Sequence, residues 1–394
     1  MINSYGVRPS LIGRVMARGS VVRRLDWVIV ACVVALGVIS SLLIFSATRA
    51  QLIDQHQDPA AFLKKNLLNL AIGLVLGGLV TALDYRLLRA HAPILYALSC
   101  LGLIAVLSPL GATVNGAHAW ILLGAGFQVE PSEFAKVALV VLLAMILGEP
   151  RDGESRTGNA GPGLPDILLS LGLGGLPMAL IMLEPDLGVT LTFGAIILGV
   201  LAVSGVRRLW LFGLTISAVL AAVAVVVFGV LKPYQIARFS AFLNPAADPR
   251  GAGYNAQQAL IAIGSGGFFG TGLFRGEQTT GHFVPEQQTD FIFTVAGEEL
   301  GFVGSAVIVL LLGILIWRGL RIATQAADLF GTLVATGVVV WLAFQTFENV
   351  GMTVGIMPIT GLPLPLVSYG GSATFANMLG LGLLQAVHIR SRPG

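Results

Sequence analysis

Charged residues are scarce in this chain. Lys, Arg, Asp and Glu make up 11% of its 394 residues, whereas a typical soluble domain carries about 25%. Cysteine is rarer still: only Cys32 and Cys100 occur, both in apolar runs typical of core positions. These shortages exclude a soluble globular enzyme, a coiled coil, a nucleic-acid-binding protein and a secreted disulfide scaffold.

Hydrophobic residues and glycine are abundant instead. The hydrophobic share is 55%, 50 residues are glycine, and the mean hydropathy is +0.86. Disordered chains need low hydrophobicity, so this glycine excess does not indicate disorder. Glycine in an apolar chain is typical of closely packed membrane helices.

The chain contains ten apolar segments, and the length of each is close to the roughly 20 residues that a membrane-spanning helix needs. The sequence therefore predicts an all-α polytopic membrane protein, with residues 1–394 forming a single integral-membrane domain. The ten predicted spans are residues 27–47, 66–83, 91–108, 132–148, 166–183, 189–204, 209–231, 301–317, 329–354 and 373–389.

The distribution of Lys and Arg predicts the orientation. With ten spans, 15 of the 23 basic residues fall in the segments on the side of the N-terminus and seven on the other side, with Lys136 inside a span. Because basic segments stay in the cytoplasm, both termini are predicted to be cytoplasmic, with 1–24 as a tail and 149–165 as a polar loop. The Arg-rich start also resembles a signal peptide, but the first apolar run exceeds the usual 7–15 residues, so we predict an uncleaved span.

The segment 232–299 is a large outer loop between spans seven and eight. Loops of this length are usually functional or disordered, and this one carries aromatic residues and apolar pairs that can pack. We predict an ordered, partly re-entrant loop with a helix at 255–263, followed by glycines that permit tight turns near a ligand. The alternative is a purely structural plug over the bundle.

Several acidic residues lie at or near membrane depth, where ionisable groups are costly and usually face a cavity or a partner. Glu133 and Lys136 have i, i+3 spacing and therefore share one helix face, where they can pair. The sequence leaves two roles open for this pair: a neutralising contact between helices, or binding of a charged substrate. Glu286, Asp290 and Glu348 stand out for the same reason.

Three acidic positions have a simpler structural alternative. Asp290 could be the N-cap of a helix that begins at Phe291, a role compatible with a catalytic one. Asp186, in the EPDLG turn at 184–188, is expected to cap the sixth span. Glu348, beside Asn349 in the ninth span, fits a cavity or a satisfied packing group equally well. Adjacent Glu298 and Glu299 close the large loop.

Five stretches in a fixed order resemble one family across nearly the whole chain. They are VEPSEFAKVAL, EPDLG, YQIARFSAFLNPAADPRGAGYNAQQALIAIGSGG, FVPEQQTDFIFTVAGEELGFVG and LPLPLVSYGGSATFANMLGLGLLQ. These stretches are similar to the SEDS family (shape, elongation, division and sporulation). Within it, VPEQQTDFIFTVAGEELG resembles the rod-shape elongation branch more than the division branch, which stays the alternative.

The resemblance implies a peptidoglycan glycosyltransferase of the bacterial cytoplasmic membrane. Its substrates would be lipid II, carried on undecaprenyl pyrophosphate, and the growing glycan strand at the outer face. Its partners would be a class B penicillin-binding protein, elongation-machinery proteins and membrane lipid. The family's essential acid matches Asp290, its charged pair matches Glu133 and Lys136, and its outer-loop tryptophan matches Trp120. The family often has an arginine directly before that tryptophan, whereas this chain has His118-Ala119, so His118 or another cation would take over any phosphate contact of that arginine.

The chemistry of such a transfer is compatible with these residues. Pyrophosphate is a good leaving group, so one carboxylate suffices as the base for the acceptor hydroxyl, and a single displacement inverts the anomeric centre. Lys136, Arg238 or a divalent cation such as Mg or Mn could balance the leaving charge; no dedicated protein metal site is predicted.

Two other classes of function stay open: a flippase for a lipid-linked precursor, and a non-catalytic scaffold for cell-wall enzymes. Transport predicts charged groups that continue through the cytoplasmic half of the spans, whereas the unusual charges cluster near the outer face. That clustering favours chemistry at the membrane surface.

Overall fold

The protein is described by a computed structural model that covers residues 21–114, 117–124, 127–148, 161–227, 233–244 and 251–391. Most of the tail 1–24 and of the loop 149–165 therefore lies outside the described residues. The elements, in chain order, are α1 (Val21–Arg24), α2 (Trp27–Asp54), α3 (Ala61–Ala82), α4 (Tyr85–Leu107), β1 (Gly111–Val114), β2 (Ala117–Gly124), β3 (Phe127–Val129), α5 (Pro131–Leu147), α6 (Leu164–Leu183), α7 (Leu187–Val203), α8 (Arg208–Val227), α9 (Pro233–Leu243), α10 (Ala252–Gly266), α11 (Glu277–Thr280), α12 (Ile292–Glu299), α13 (Gly301–Thr324), α14 (Leu329–Thr353) and α15 (Gly371–Ser391).

Each of the ten predicted spans coincides with a helix of 17 to 28 residues, which confirms the predicted fold class. Six of these helices, α2, α3, α4, α6, α13 and α14, are long and apolar enough to cross a membrane. Helix α7 and the first part of α8 are apolar but shorter. The remaining two helices are α5 and α15. Both contain polar residues that are buried against neighbouring helices.

Helix α14 is the centre of the bundle, and most of its side chains are buried. It packs against α5, α7, α13 and α15. Helices α3 and α15 approach closely at Gly77, where a Cβ would lie 2.7 Å from the carbonyl oxygen of Met378. The glycine-rich composition thus serves close helix packing, as expected for membrane helices.

Aspartates begin four of the long helices. Asp26, Asp84, Asp186 and Asp328 each accept a hydrogen bond from a main-chain N–H in the first turn of the helix that follows. These N–H groups have no partner within the helix, so a carboxylate there both satisfies a donor and complements the helix dipole. The predicted cap at Asp186 is confirmed.

A small sheet between α4 and α5 was not predicted. Strand β2 pairs antiparallel with β1 and β3, with Trp120 opposite Ala112 and Ile121 opposite Val129. Its strands contain three to eight residues, so a search for runs of about 20 apolar residues passes over them. The sheet closes the end of the bundle from which α5 begins.

The described part of the large loop is ordered. It forms four helices, α9 to α12, and the predicted helix at 255–263 lies within α10. Ile292, Val295 and Ala296 of α12 are fully buried in the main core of the bundle. The loop therefore enters the bundle, as its apolar content predicted.

The bundle has two chemically different ends. We call the end that carries Glu133, Asp186 and Asp290 the site end; α5, α7 and α12 begin there. The opposite end carries Asp26 and Asp328, where α2 and α14 begin.

Candidate active site

Asp290 lies in the turn before α12, flanked by buried aromatic rings. Phe291 and Phe293 are almost fully buried, and the Asp290 side chain is half-buried. Burial and the charge of Glu286 raise the pKa of this carboxyl to about 7, although the charge of Arg238 lowers it. A carboxyl group with this pKa is well suited to accept a proton near neutral pH.

Asp290 does not cap α12. The N-cap residue is Phe291, and no side chain makes a capping hydrogen bond there. The capping role that the sequence allowed for this aspartate is therefore wrong, and its carboxylate is left for other interactions. Its Oδ2 faces Gly361, where a Cβ would come within 3.3 Å.

Hydrogen bonds to three consecutive main-chain carbonyls hold the turn that carries Asp290. Tyr369 N donates to Gln288 O at 2.9 Å, and Ser368 Oγ donates to Thr289 O at 2.5 Å. The third carbonyl, that of Asp290 itself, accepts a hydrogen bond from Asn349 Nδ2 at 2.7 Å. The donors belong to α14 and to the segment that precedes α15, so distant parts of the chain fix this turn.

Arg238 is a cation whose charge acts on Asp290. It extends from α9, is half-buried, and donates from a guanidinium NH to Thr360 O at 3.2 Å. Its charge lowers the pKa of both Asp290 and Asp186. The guanidinium therefore acts electrostatically on two carboxylates of the site end.

Glu133 and Lys136 form the predicted ion pair in the first two turns of α5. Lys136 Nζ lies 2.7 Å from Glu133 Oε1, and the exposed side-chain fractions are 0% and 2%. The ammonium also lies 4.9 Å from the centre of the Trp341 ring, within the range of a cation–π interaction. Glu133 Oε2 has no hydrogen-bond partner among the described residues.

Asp186 links this pair electrostatically to Asp290. Burial raises the pKa of Asp186, Glu133 adds to the shift, and Lys136 and Arg238 oppose it. Glu130, just before α5, also has a raised pKa because of burial and the charges of Glu133 and Asp186. The site end thus collects more negative than positive charge.

Two further glutamates are buried, and the sequence did not decide a role for either of them. Glu184 precedes Asp186 and is fully buried; burial and the Asp186 charge raise its pKa to about 8. Glu348, on α14, is also fully buried. Neither carboxylate has a hydrogen-bond partner among the described residues.

Glu298 and Glu299 are structural. Glu298 accepts hydrogen bonds at 2.8 Å from the main-chain N–H groups of Gln278 and Thr279 and at 2.6 Å from the Thr279 hydroxyl. Glu299 accepts one from Ser46 Oγ of α2. Glu298 therefore joins α12 to α11 within the large loop, and Glu299 fastens the loop to α2, which explains their burial without a catalytic role.

Trp120 is half-buried on β2, in the sheet that leads into α5. The ring of neighbouring His118 is 3.0 Å from Thr113 Oγ1, measured from Nδ1. Because Thr113 occupies one ring nitrogen, only the other could meet a phosphate in place of the family's arginine.

The sequence did not identify Asn349 or Ser368 as residues of the site. Both are buried polar side chains whose partners are carbonyls 59 and 79 residues away. The only local signal was the unusual polar pair Glu348–Asn349 within an apolar span.

Side chains that commonly bind metal ions are not clustered in the described part of the chain. Within the described ranges, no group of three or more His, Cys, Asp or Glu side chains is arranged to hold a metal ion.

The helical bundle with its re-entrant segment places the chain in the class of multi-pass membrane proteins, and comparison with known proteins identifies the family. Residues 23–393 match the family described as Cell cycle protein, FTSW_RODA_SPOVE. The chain belongs to this family, the SEDS family that the sequence motifs indicated.

Named relatives include both division and elongation proteins. The chain is 38% identical to the probable peptidoglycan glycosyltransferase FtsW of Trichlorobacter lovleyi, over 91% of this chain and 92% of the relative. It is 37% identical to the peptidoglycan glycosyltransferase MrdB of Escherichia coli, over 92% and 93%. Because these identities are nearly equal, they do not separate the two branches.

A solved structure shares the fold. It is described as structural coordination of polymerization and crosslinking by a peptidoglycan synthase complex, and it matches with a TM-score of 0.75 and 34% identity. The match covers 93% of this chain and 98% of the matched chain. The multi-pass membrane architecture is therefore common to both.

Proposed function

We propose that the protein is a peptidoglycan glycosyltransferase that polymerises lipid II into glycan strands. The observation that carries this proposal is Asp290: a carboxyl with a pKa of about 7, on a turn held at three carbonyls, beside Arg238. The names of the family relatives support the same reaction class.

In the proposed reaction, Asp290 accepts the proton of the acceptor sugar's hydroxyl group. The hydroxyl oxygen then bonds to the anomeric carbon of the donor sugar, while the bond to undecaprenyl pyrophosphate breaks. The leaving pyrophosphate carries away the electron pair, and the single displacement inverts the anomeric centre. Because the leaving group is already anionic and stable, no second carboxyl is needed as an acid.

Arg238 and Lys136 are the proposed sources of positive charge for the pyrophosphate. The half-buried guanidinium of Arg238 is the better placed for direct contact, whereas fully buried Lys136, paired with Glu133, would act through its field. Trp120 offers an amphipathic surface for the substrate at the edge of the site. A divalent cation bound to the pyrophosphate would add charge, and loss of activity in EDTA, restored by Mg or Mn, would test that.

The proposed orientation places the site end outside the cytoplasmic membrane and both termini in the cytoplasm, since the Lys and Arg bias predicts it. A reporter fused after Gly394 should be active only inside the cell. Activity restricted to the outside would refute this orientation.

The proposed partner is a class B penicillin-binding protein, within the elongation machinery. The complex described for the structural relative couples polymerisation with crosslinking, and VPEQQTDFIFTVAGEELG resembles the elongation branch. Depletion in the host should then give round cells; filaments that fail to divide would indicate the division branch instead.

The decisive experiment measures glycan polymerisation from lipid II by the purified protein together with its penicillin-binding partner. Asp290→Asn keeps the size of the side chain and removes its basicity, and loss of a general base typically lowers the rate by about 10²–10⁴-fold. The matched control is Asp58→Asn, at an exposed aspartate that pairs with Lys64 at 2.5 Å; we expect normal activity.

The same assay separates the alternatives. Near-normal polymerisation by Asp290→Asn would refute the base assignment, and Glu286 would be the next candidate. A wild-type protein that moves lipid II across vesicles without polymerising it would be a flippase, and one that only recruits its partner would be a scaffold.

A further inference from the structure

Asp290 is held by donors that all come from other parts of the fold. The carbonyls of Gln288, Thr289 and Asp290 each accept one hydrogen bond, from Tyr369 N, Ser368 Oγ and Asn349 Nδ2 respectively. A carbonyl removed from water needs a hydrogen-bond donor, and for these three residues the donors lie on α14 and on the segment that precedes α15. The turn that carries Asp290 is therefore fixed residue by residue.

Asn349 makes two of the contacts that define the site. Its Nδ2 donates to Asp290 O and to Leu362 O, each at 2.7 Å, and its side chain is fully buried in α14. Leu362 follows Gly361, the residue that faces the Asp290 carboxylate. One amide group thus sets the distance between the Asp290 turn and the segment against which its carboxylate lies.

Ser368 completes the arrangement. Its hydroxyl donates to Thr289 O and accepts a hydrogen bond from Leu364 N at 2.8 Å. Asn349 and Ser368 therefore both join the Asp290 turn to the segment 361–369. We call these two side chains the carbonyl clamp.

We propose that the carbonyl clamp, Asn349 and Ser368, positions Asp290 for proton transfer. This inference rests on the proposed function, because it assigns Asn349 and Ser368 as positioning residues for the same reaction. Neither side chain needs to touch the substrate. Displacing a reacting group by about 1 Å can lower a rate by about 10²-fold, so fixing the turn matters more for the rate than for binding.

The test is Asn349→Leu, which keeps the shape of the side chain and removes both donors. We expect kcat for lipid II polymerisation to fall by about 10²-fold with KM changed less than about threefold, since the clamp acts on the reacting group rather than on binding. The matched control is Gln385→Leu. Gln385 is a buried amide at the opposite end of the bundle, where its Nε2 donates to Asp26 O at 3.0 Å and its Oε1 accepts a hydrogen bond from Asp26 N at 2.9 Å.

Two readouts separate positioning from general stability. If the clamp acts through position, the pH midpoint of kcat shifts in Asn349→Leu, because the carboxylate moves relative to Glu286, Arg238 and Asp186, the charged groups that face it. The midpoint stays unchanged in Gln385→Leu even if that variant unfolds at a lower temperature. Equal kcat losses and unchanged midpoints in both variants would overturn the proposal.

Ser368 provides a second, independent test if Asn349→Leu fails to fold. Ser368→Ala removes the hydroxyl and should lower kcat by about tenfold, the effect of one misplaced contact. Ser368→Thr keeps the hydroxyl and should restore most of the rate. Equal rates in Ser368→Ala and wild type would overturn the proposal for this residue.

Failure of this inference differs from failure of the proposed function. An inactive Asp290→Asn together with fully active Asn349→Leu and Ser368→Ala would reject the clamp and retain the base. A fully active Asp290→Asn would reject the base itself.

Discussion

The two ends of the bundle treat charge in different ways. At the opposite end, Asp26 pairs with Arg318, and Asp328 accepts hydrogen bonds from both Tyr85 and Arg86. At the site end, burial raises the pKa of several carboxyls, including Glu184 and Asp290. The aspartates of the opposite end have charged or hydrogen-bonding partners. Several carboxyls of the site end, by contrast, are in surroundings that disfavour their ionised form, which we call electrostatic stress.

This difference indicates that the opposite end mainly stabilises the fold, whereas the site end is adapted to proton transfer. Paired charges and helix caps at the opposite end fasten α2, α4, α13 and α14 to one another. Stressed carboxyls do not stabilise a fold, but a carboxyl with a pKa near 7 is what proton transfer requires. The contrast therefore predicts that substitutions at the two ends will have different consequences.

The largest expected effect on stability is at the buried pair of the site end. Lys136→Met leaves Glu133 without its cation, and breaking a buried ion pair from one side typically costs about 3–5 kcal/mol. Thermal unfolding in detergent would measure this loss. In the double variant Glu133→Gln/Lys136→Met no charge is left unpaired, so most of the stability should return.

The exchanged pair Glu133→Lys/Lys136→Glu sharpens the result. If pairing is the main role, the exchange should be less harmful to activity than neutralising either residue. Equal loss from the exchange would favour direct contact with the substrate, and unchanged stability in Lys136→Met would contradict the structural role.

A smaller effect is expected at the opposite end. Arg318→Met leaves Asp26 buried, but two main-chain N–H groups of α2 still donate to its carboxylate. Because a hydrogen bond to a charged group contributes about 1.5–3 kcal/mol, we expect a loss in this range with normal activity of the folded protein. Polymerisation that fell tenfold while the protein stayed folded would show that the opposite end also affects catalysis.

The stability of Asp290→Asn should depend on pH. The pKa of Asp290 is raised from 3.8 to about 7, so ionisation of this carboxyl works against folding as pH rises from about 4 to about 7. The full shift corresponds to about 4 kcal/mol, and because the side chain is only half-buried we expect about half of that.

Wild type and Asp290→Asn should therefore be nearly equally stable at pH 4, and the variant should be more stable by about 2 kcal/mol at pH 8. Thermal unfolding at several pH values measures the difference. A variant that is less stable at pH 8 would contradict the idea that the site end is under electrostatic stress.

The smallest effect is expected for Arg86→Ala. The Arg86–Asp328 pair has a distance of 3.2 Å, but the arginine side chain is 59% exposed. Exposed ion pairs typically contribute 0.2–1 kcal/mol, so thermal unfolding should shift by only a degree or two. A loss as large as that of Arg318→Met would indicate that exposure alone does not decide the value of a pair at this end.

Particular residues show how far the sequence could be interpreted. The i, i+3 spacing of Glu133 and Lys136 predicted their pairing, and the position of Asp186 before an apolar run predicted its cap, because both contacts are local. The strands around Trp120 were missed because they are short, and the capping role allowed for Asp290 was wrong because α12 begins two residues later.

By itself, the sequence determined the ten helical segments, the ordered loop, the family and the candidate base. Hydropathy and spacing operate within about 20 residues, so they specify helices and local pairs. Only the tertiary structure decided that Asn349 and Ser368 hold the turn of Asp290 and that the charges of Glu133, Lys136 and Arg238 act on Asp186. Such contacts depend on how distant helices pack, and no local pattern encodes the partner of a buried carbonyl.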